Sequence, residues 1–337
     1  MRKIAVLFTL LFVFNLYAGF SLKDLGSGKK YFKNAEKLFN QGKYAQAITF
    51  YQKFLAKKKN ENNEKALYHI SVSFMEIGMP DKGFPYIKKL YDLKGTNLKY
   101  AILYAEYLVQ LNKLRDAINV YKKIVSNHPD DYLSYVRLGE LFVNDGQLDK
   151  AREMWLKAVK LNEKPVEAYS LLSESYLNVE KNKLMAYYYA RKLLDVAPSD
   201  RREEIEQMLD SIAGDFKEDF EQYYLLKTCK ENAKNYIDNG DYKSAYNSLE
   251  KCEDADNVDK EYLLMFAKVC KKLDNYKKAI EIYKKCLALG LESGEIYLEL
   301  AKCYLKTGNR ELAKANLKLA AKYPKVKNKA LKLLNSI

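Results

Sequence analysis

Five cysteines and two histidines are the residues of this 337-residue chain best suited to chemistry, and their spacing supports little of it. Cys229, Cys252, Cys270, Cys286 and Cys303 follow one another at intervals of 23, 18, 16 and 17 residues, with no CxxC pair and no zinc-ribbon pattern. His69 falls within a helical pattern and His128 in a turn before Pro129, and neither has a Cys or His at metal-ligand spacing. The sequence has no phosphate-cradling glycine loop, no nucleophile elbow and no HExxH pair. Carboxylates are plentiful, but they fall on the polar faces of helical patterns. The expectation is a chain that is not an enzyme and carries no metal and no cofactor.

The helices that would have to position any site are easier to read. From Asp131 to Pro165 the residues Tyr135, Leu138, Gly139 and Phe142 form one apolar face at helical spacing. Asn144-Asp145-Gly146 interrupts the helix, because glycine accepts the left-handed conformation that a helix end requires. Leu148, Ala151, Trp155 and Ala158 then form a second stripe. Gly139 and Ala151 allow two backbones to approach closely, and the rings of Tyr135, Phe142 and Trp155 fill the space around that contact.

The unit recurs. Its turn residue is found at Gly42, Gly78, Asn112, Gly146, Lys181, Gly240, Asp274 and Gly308, at intervals of 36, 34, 34, 35, 59, 34 and 34. Five residues later stands a small residue: Ala47, Gly83, Ala117, Ala151, Ala186, Ala245, Ala279 and Ala313. Nine residues later comes Tyr51, Ile87, Tyr121, Trp155, Ala190, Leu249, Tyr283 or Leu317. Over residues 29–324 the chain therefore resembles the tetratricopeptide repeat (TPR) family, whose unit is about 34 residues of helix-turn-helix. The resemblance implies an all-α fold, a right-handed α-solenoid of about eight helical hairpins. It also implies protein binding, without a chemical step, along a concave face lined by first helices.

Five repeats occupy 29–198 and three occupy 223–324. The long interval between them marks an inserted joint helix over 199–222, with Ile205, Met208, Leu209 and Ile212 as its stripe and Gly214 as its break. In the second repeat Pro80 sits in a first helical turn, where its missing N–H matters little, whereas Pro85 lies deeper and is expected to kink the helix. The fifth repeat carries one extra residue before Lys181. Residues 325–337 form a capping helix through Val326, Ala330, Leu333, Leu334 and Ile337, covering the last apolar face. In this register Cys229 and Cys252 lie close on antiparallel helices. They can form a disulfide in an oxidising compartment, or serve as small buried apolar residues, which is the reading carried forward. An odd number of cysteines leaves at least one thiol free in either case.

Residues 1–19 read as an export signal: Arg2 and Lys3 precede the apolar run Ile4–Tyr17, and a small-residue cleavage site follows. The run is short for a spanning helix, so cleavage is expected rather than retention as an anchor. Residues 20–28 are a flexible lead-in. The mature chain is expected in the periplasm or associated with the cell envelope, with no transmembrane span. The formal charge of +14 is uneven. Nine Lys stand against one Glu from Lys29 to Asn60, eight Asp or Glu against three cations from Arg201 to Glu221, and eight Lys or Arg against one Glu from Arg310 to Ile337. Such ends suit solubility, or contact with an anionic envelope polymer or membrane surface; an exported chain argues against nucleic acid.

The candidate partner-binding residues lie on the first helices. One row offers Phe32, Tyr68, Ile102 and Val136, and another Phe39 and Met75. Between them runs a charged row, Glu36, Glu106, Glu140 and Glu174 in the first five repeats and Lys234, Lys268 and Lys302 in the last three. This describes an apolar groove punctuated by glutamates and then by lysines, suited to segments of one or more envelope proteins. The basic clamp by which chaperone-cofactor members of the family hold a C-terminal carboxylate is missing, since Phe32 and Glu36 occupy its first-repeat positions.

Overall fold

The computed structural model describes residues 28–253 and 258–337; the expected leader, and the lead-in up to residue 27, lie outside the described residues. Helices α1 (Gly28–Asn40) and α2 (Tyr44–Leu55), α3 (Glu64–Glu76) and α4 (Pro80–Lys94), α5 (Leu98–Gln110) and α6 (Leu114–Asn127), and α7 (Tyr132–Asn144) and α8 (Leu148–Leu161) form successive hairpins. The next first helix, α9 (Val166–Glu174), continues into a π-helical turn over Ser175–Val179 and is followed by α10 (Lys183–Val196). Then come α11 (Arg202–Ala213), α12 (Lys217–Asp238) with α13 (Tyr242–Glu250), α14 (Lys260–Lys272) with α15 (Tyr276–Ala288), α16 (Gly294–Lys306) with α17 (Arg310–Ala320), and α18 (Lys327–Leu334). The described residues are thus all-α, a solenoid of helical hairpins with a terminal helix, and none of these helices is long and apolar enough to cross a membrane.

Every turn marker has positive φ, from 56° at Asn112 and Asp274 to 81° at Gly308. The physical reason is the way the helix ends close. In the fourth hairpin the Gly146 N–H donates to Val143 O (2.9 Å) and the Gln147 N–H to Phe142 O (2.8 Å), which only a left-handed residue between helix and exit permits. The same pair of bonds closes the other regular hairpins. In the fifth hairpin the Asn182 N–H reaches back one residue further, to Tyr176 O (2.9 Å). The π-helical turn takes up the extra residue, and Asn182 then caps α10 through the Met185 N–H.

The small and large positions of the repeat are buried as a set. The seven alanines five residues beyond the markers are all 0 % exposed, and the residues nine beyond range from 0 % to 4 %. Gly83 breaks the alanine row for a local reason. The Tyr107 hydroxyl, donating to Ser71 O (2.5 Å), occupies the place where a Cβ at Gly83 would sit. Pro80 is at the start of α4, and the helix continues through Pro85.

Two compact units divide the chain, one ending at Leu172 and the other beginning at Ser173. The division falls in the fifth hairpin, upstream of the 199–222 segment. Within the second unit α10 packs on both α11 and α12, so the inserted helix is part of that unit's own packing. The cysteine reading carried forward needs correction. Cys229 and Cys252 are joined by a disulfide between α12 and the end of the α13 segment, while Cys270, Cys286 and Cys303 remain free and buried. Antiparallel packing brings the two Cα atoms to 6.5 Å, within bridging distance. Closing a loop between residues 23 apart stabilises by about 3 kcal/mol in the chain-entropy account.

Two tests follow from this packing. A Cβ at Gly139 would collide with the Trp155 indole, whose N–H donates to Val136 O (3.2 Å). Gly139→Ala should therefore destabilise the first unit by about 1–3 kcal/mol, seen as an earlier urea transition in the fluorescence of the chain's single tryptophan. At the other end Val326 and Ala330 are buried against Tyr297, Leu298, Ala301 and Leu317. Deleting 326–337 should uncover that face and cause concentration-dependent association in light scattering; a truncation that stays monomeric would remove the capping role.

Candidate protein-binding surface

The first helices of the first unit carry a run of rings. Phe39 stacks on His69 with centroids 4.1 Å apart, Tyr68 lies 5.7 Å from His69, and Tyr100 lies 5.6 Å from Tyr68. Phe32 packs on Phe54 at 4.9 Å. The Lys99 ammonium stands 4.1 Å above the Tyr68 ring and Lys65 stands 5.9 Å from that of Phe32, within cation–π range. Phe32, Phe39, Tyr68, Met75 and Ile102 are each half-buried, so one edge packs on the hairpin and the other meets solvent. Val136 does not belong to this surface. It is 5 % exposed because it turns into the core beside Trp155.

The glutamates of the row are not equivalent. Glu36 accepts from Tyr51 Oη (2.6 Å) and His69 Nδ1 (2.7 Å) and pairs with Lys65 Nζ (2.5 Å). A carboxylate only accepts, so the His69 Nδ1–H is the donor. Glu106 accepts from Tyr121 Oη (2.6 Å), and Arg137 lies between it (3.6 Å) and Glu140 (2.9 Å). Tyr51 and Tyr121 each follow their glutamate by 15 residues, the distance from a first helix across the turn to the facing side of the second. Two members of the row therefore tie their own hairpins together. Glu140 is half-buried, and Glu174 is exposed at the start of the π-helical turn. In the second unit Lys234 and Lys268 are exposed, and Lys302 pairs with Glu299 (2.6 Å), which Lys271 also contacts.

His69 was legible in the sequence only as a histidine without ligand partners. The structure makes it the central ring of this surface. Burial, which disfavours the charged form, holds its imidazole below the ordinary value of 6.5 despite the pull of Glu36; Lys65 and Lys99 act in the same direction as burial. For Glu36 burial pushes upward, but the hydrogen bonds from Lys65, Tyr51 and His69 outweigh it and its carboxyl lies below 4.5. In both cases the unfolded chain binds protons more readily, so stability is present above the unfolded value and lost on acidification. The His69 contribution is complete above about pH 6.5 and fades below it; that of Glu36 is complete above about pH 4.5. His69→Phe, which keeps a ring on Phe39, should abolish the loss of first-unit stability between pH 6.5 and 5 while leaving the carboxylate-range loss, as read by urea titrations across pH.

The second unit holds a cleft of about 510 Å³ between α12 and α14, with Lys227, Lys230 and Lys234 on one wall. Among the described residues there is no cluster of His, Cys, Asp and Glu able to hold a metal ion.

Comparisons with protein-family models agree with this architecture. The family model described as Anaphase-promoting complex, cyclosome, subunit 3 matches residues 40–124 and 185–286, and two models described as Tetratricopeptide repeat match 105–178 and 272–334. No curated protein matches the chain. Among solved structures, a crystal structure of MamA is 22% identical over 52% of this chain and 96% of its own, with a TM-score of 0.45. MamA 41-end from Desulfovibrio magneticus RS-1 is 20% identical over 50% of this chain and 94% of its own, at 0.46. A thermophilic TPR protein in Thermus thermophilus is 22% identical over 55% of this chain and 98% of its own, at 0.40.

Proposed function

This chain belongs to the tetratricopeptide-repeat family, and from that premise we propose that it is a non-enzymatic scaffold of the cell envelope. It grips segments of partner proteins along its first-helix faces and so assists the assembly of an envelope complex. The observation that carries the reading is the half-exposed ring run Phe32, Phe39, Tyr68 and His69 on successive first helices. Large rings that are already ordered by stacking lose little freedom when a partner covers them, and they offer much apolar area. The half-buried Glu140 and the exposed Glu174 supply the polar points of contact. The leader-like residues 1–19 and the Cys229–Cys252 disulfide support an exported location, since such bonds persist in oxidising compartments.

A second reading has its own support. All nine lysines between 29 and 60 are exposed. They would bind an anionic envelope polymer or lipid surface by charge. Salt separates the two readings, because contacts between exposed charges are screened and apolar burial is not. The chain from residue 20 onward, crosslinked in its own envelope fraction and recovered at low and high salt, should retain a discrete protein at both. Tyr68→Ala should lower that recovery by about tenfold, the loss typical of a central aromatic contact, with an unchanged circular dichroism spectrum. Recovery of polysaccharide or lipid at low salt alone would favour the polymer reading instead.

A further inference from the structure

The cleft of the second unit holds a lysine that forms no ion pair among the described residues. Lys227 is half-buried, and its Nζ lies 4.2 Å from the Tyr188 ring centroid and 5.6 Å from that of Tyr223. Its polar contacts are soft ones, Met185 Sδ and Tyr223 Oη, each at 3.5 Å. The nearby carboxylates are engaged elsewhere. Asp259 and Glu261 hold Lys230 at 2.7 and 3.0 Å, and Glu231 accepts the Tyr188 hydroxyl and pairs with Lys192 at 3.5 Å. Lys234, two turns beyond Lys227, is exposed and forms no ion pair among the described residues. Burial accordingly pushes the Lys227 ammonium below its ordinary range, with Lys230 adding to the shift and Glu231 opposing it.

A desolvated cation that lacks an anion costs free energy, which an incoming carboxylate would restore. The wall that desolvates it is a departure from the regular repeat. Tyr223 lies in the extra N-terminal turns of the 22-residue α12, and Tyr188 and Met185 come from α10, which packs directly on α12. These two rings and the Met185 thioether therefore flank the Lys227 ammonium on the α10 side.

Spacing restricts the occupant. Lys227 and Lys234 are seven residues apart on one helix face, about 10 Å along its axis. A compact anion cannot reach both. In extended chain, side chains four residues apart share a face and stand about 13 Å apart, a span that the flexible stems of the two lysines can match. Leu226 and Met265 line the same cleft and give it an apolar component. We infer that this cleft takes an internal acidic segment of a partner protein, with two Asp or Glu side chains four residues apart and an apolar residue midway between them on the same face. The inference rests on the scaffold reading and names the chemistry of one partner segment.

The test uses the purified chain from residue 20 onward and a fluorescent peptide blocked at both ends, of the order Asp-Ser-Leu-Ser-Asp, read by polarisation. An Asn-Ser-Leu-Ser-Asn peptide is the control. The acidic peptide should bind at least about tenfold more tightly than the amide control, and Lys227→Gln or Lys234→Gln should remove most of that difference. Lys268→Gln, on the neighbouring first helix but outside the cleft, should leave it within about twofold. Because Lys234 is exposed, its variant remains informative should Lys227→Gln disturb folding. Equal affinity for the two peptides, indifference to both substitutions, or complete displacement by millimolar inorganic phosphate would overturn the inference. Should the peptide fail to bind while the envelope pull-down still yields a discrete protein, the cleft assignment falls and the scaffold reading stands.

Discussion

Each hairpin depends on one residue held in the left-handed region at the end of its first helix. The two bonds made there, from the marker and from the residue after it, set the angle at which the second helix returns. Glycine adopts that conformation freely at Gly42, Gly78, Gly146, Gly240 and Gly308, and Asn112 and Asp274 tolerate it because their short polar side chains suit αL. Lys181 has neither advantage, and holding it at φ 58° costs about 1–2 kcal/mol. That cost falls where the chain also carries an extra residue. In a continuous α-helix one added residue would rotate all that follows by about 100°. The π-helical turn absorbs it, so Ala186 and Ala190 remain 0 % exposed in their proper places.

With the turns set, polar side chains add links that the apolar register does not contain. The first unit uses phenols: Tyr51 and Tyr121 are buried rings whose hydroxyls reach out to Glu36 and Glu106 at the surface. Burial and the adjacent carboxylate both push the Tyr51 phenol upward, so it stays a hydrogen-bond donor across the ordinary pH range. The second unit uses a covalent link between Cys229 and Cys252 and ion pairs such as Lys278–Glu253 at 2.7 Å. Ion pairs still open to solvent contribute little individually. Their effect is on which charges remain available, and that selection leaves Lys227 and Lys234 distinct from Lys230 and Lys302.

Much of the fold was legible in the residues because its determinants are local and periodic. The turn markers, the small row from Ala47 to Ala313 and the buried row from Tyr51 to Leu317 follow from a 34-residue spacing, and each position has the same backbone environment in every hairpin. The departures were legible as departures. Gly83, the extra residue before Lys181 and the long interval before Gly240 all stand out, although their explanations lie in Tyr107, the π-helical turn and the packing of α10 and α11 on α12.

The candidate surface was less legible. The sequence by itself determined which positions lie on first helices and which rings and charges occur there. Tertiary structure alone decided that Val136 turns inward, that Glu36 and Glu106 are engaged by tyrosines of their own hairpins, that His69 joins the ring stack, and that two of five cysteines are bonded. The physical reason is the range of the interactions. Burial in a repeat follows from the backbone's own period, whereas pairing between side chains 15 to 33 residues apart depends on where neighbouring helices bring their tips.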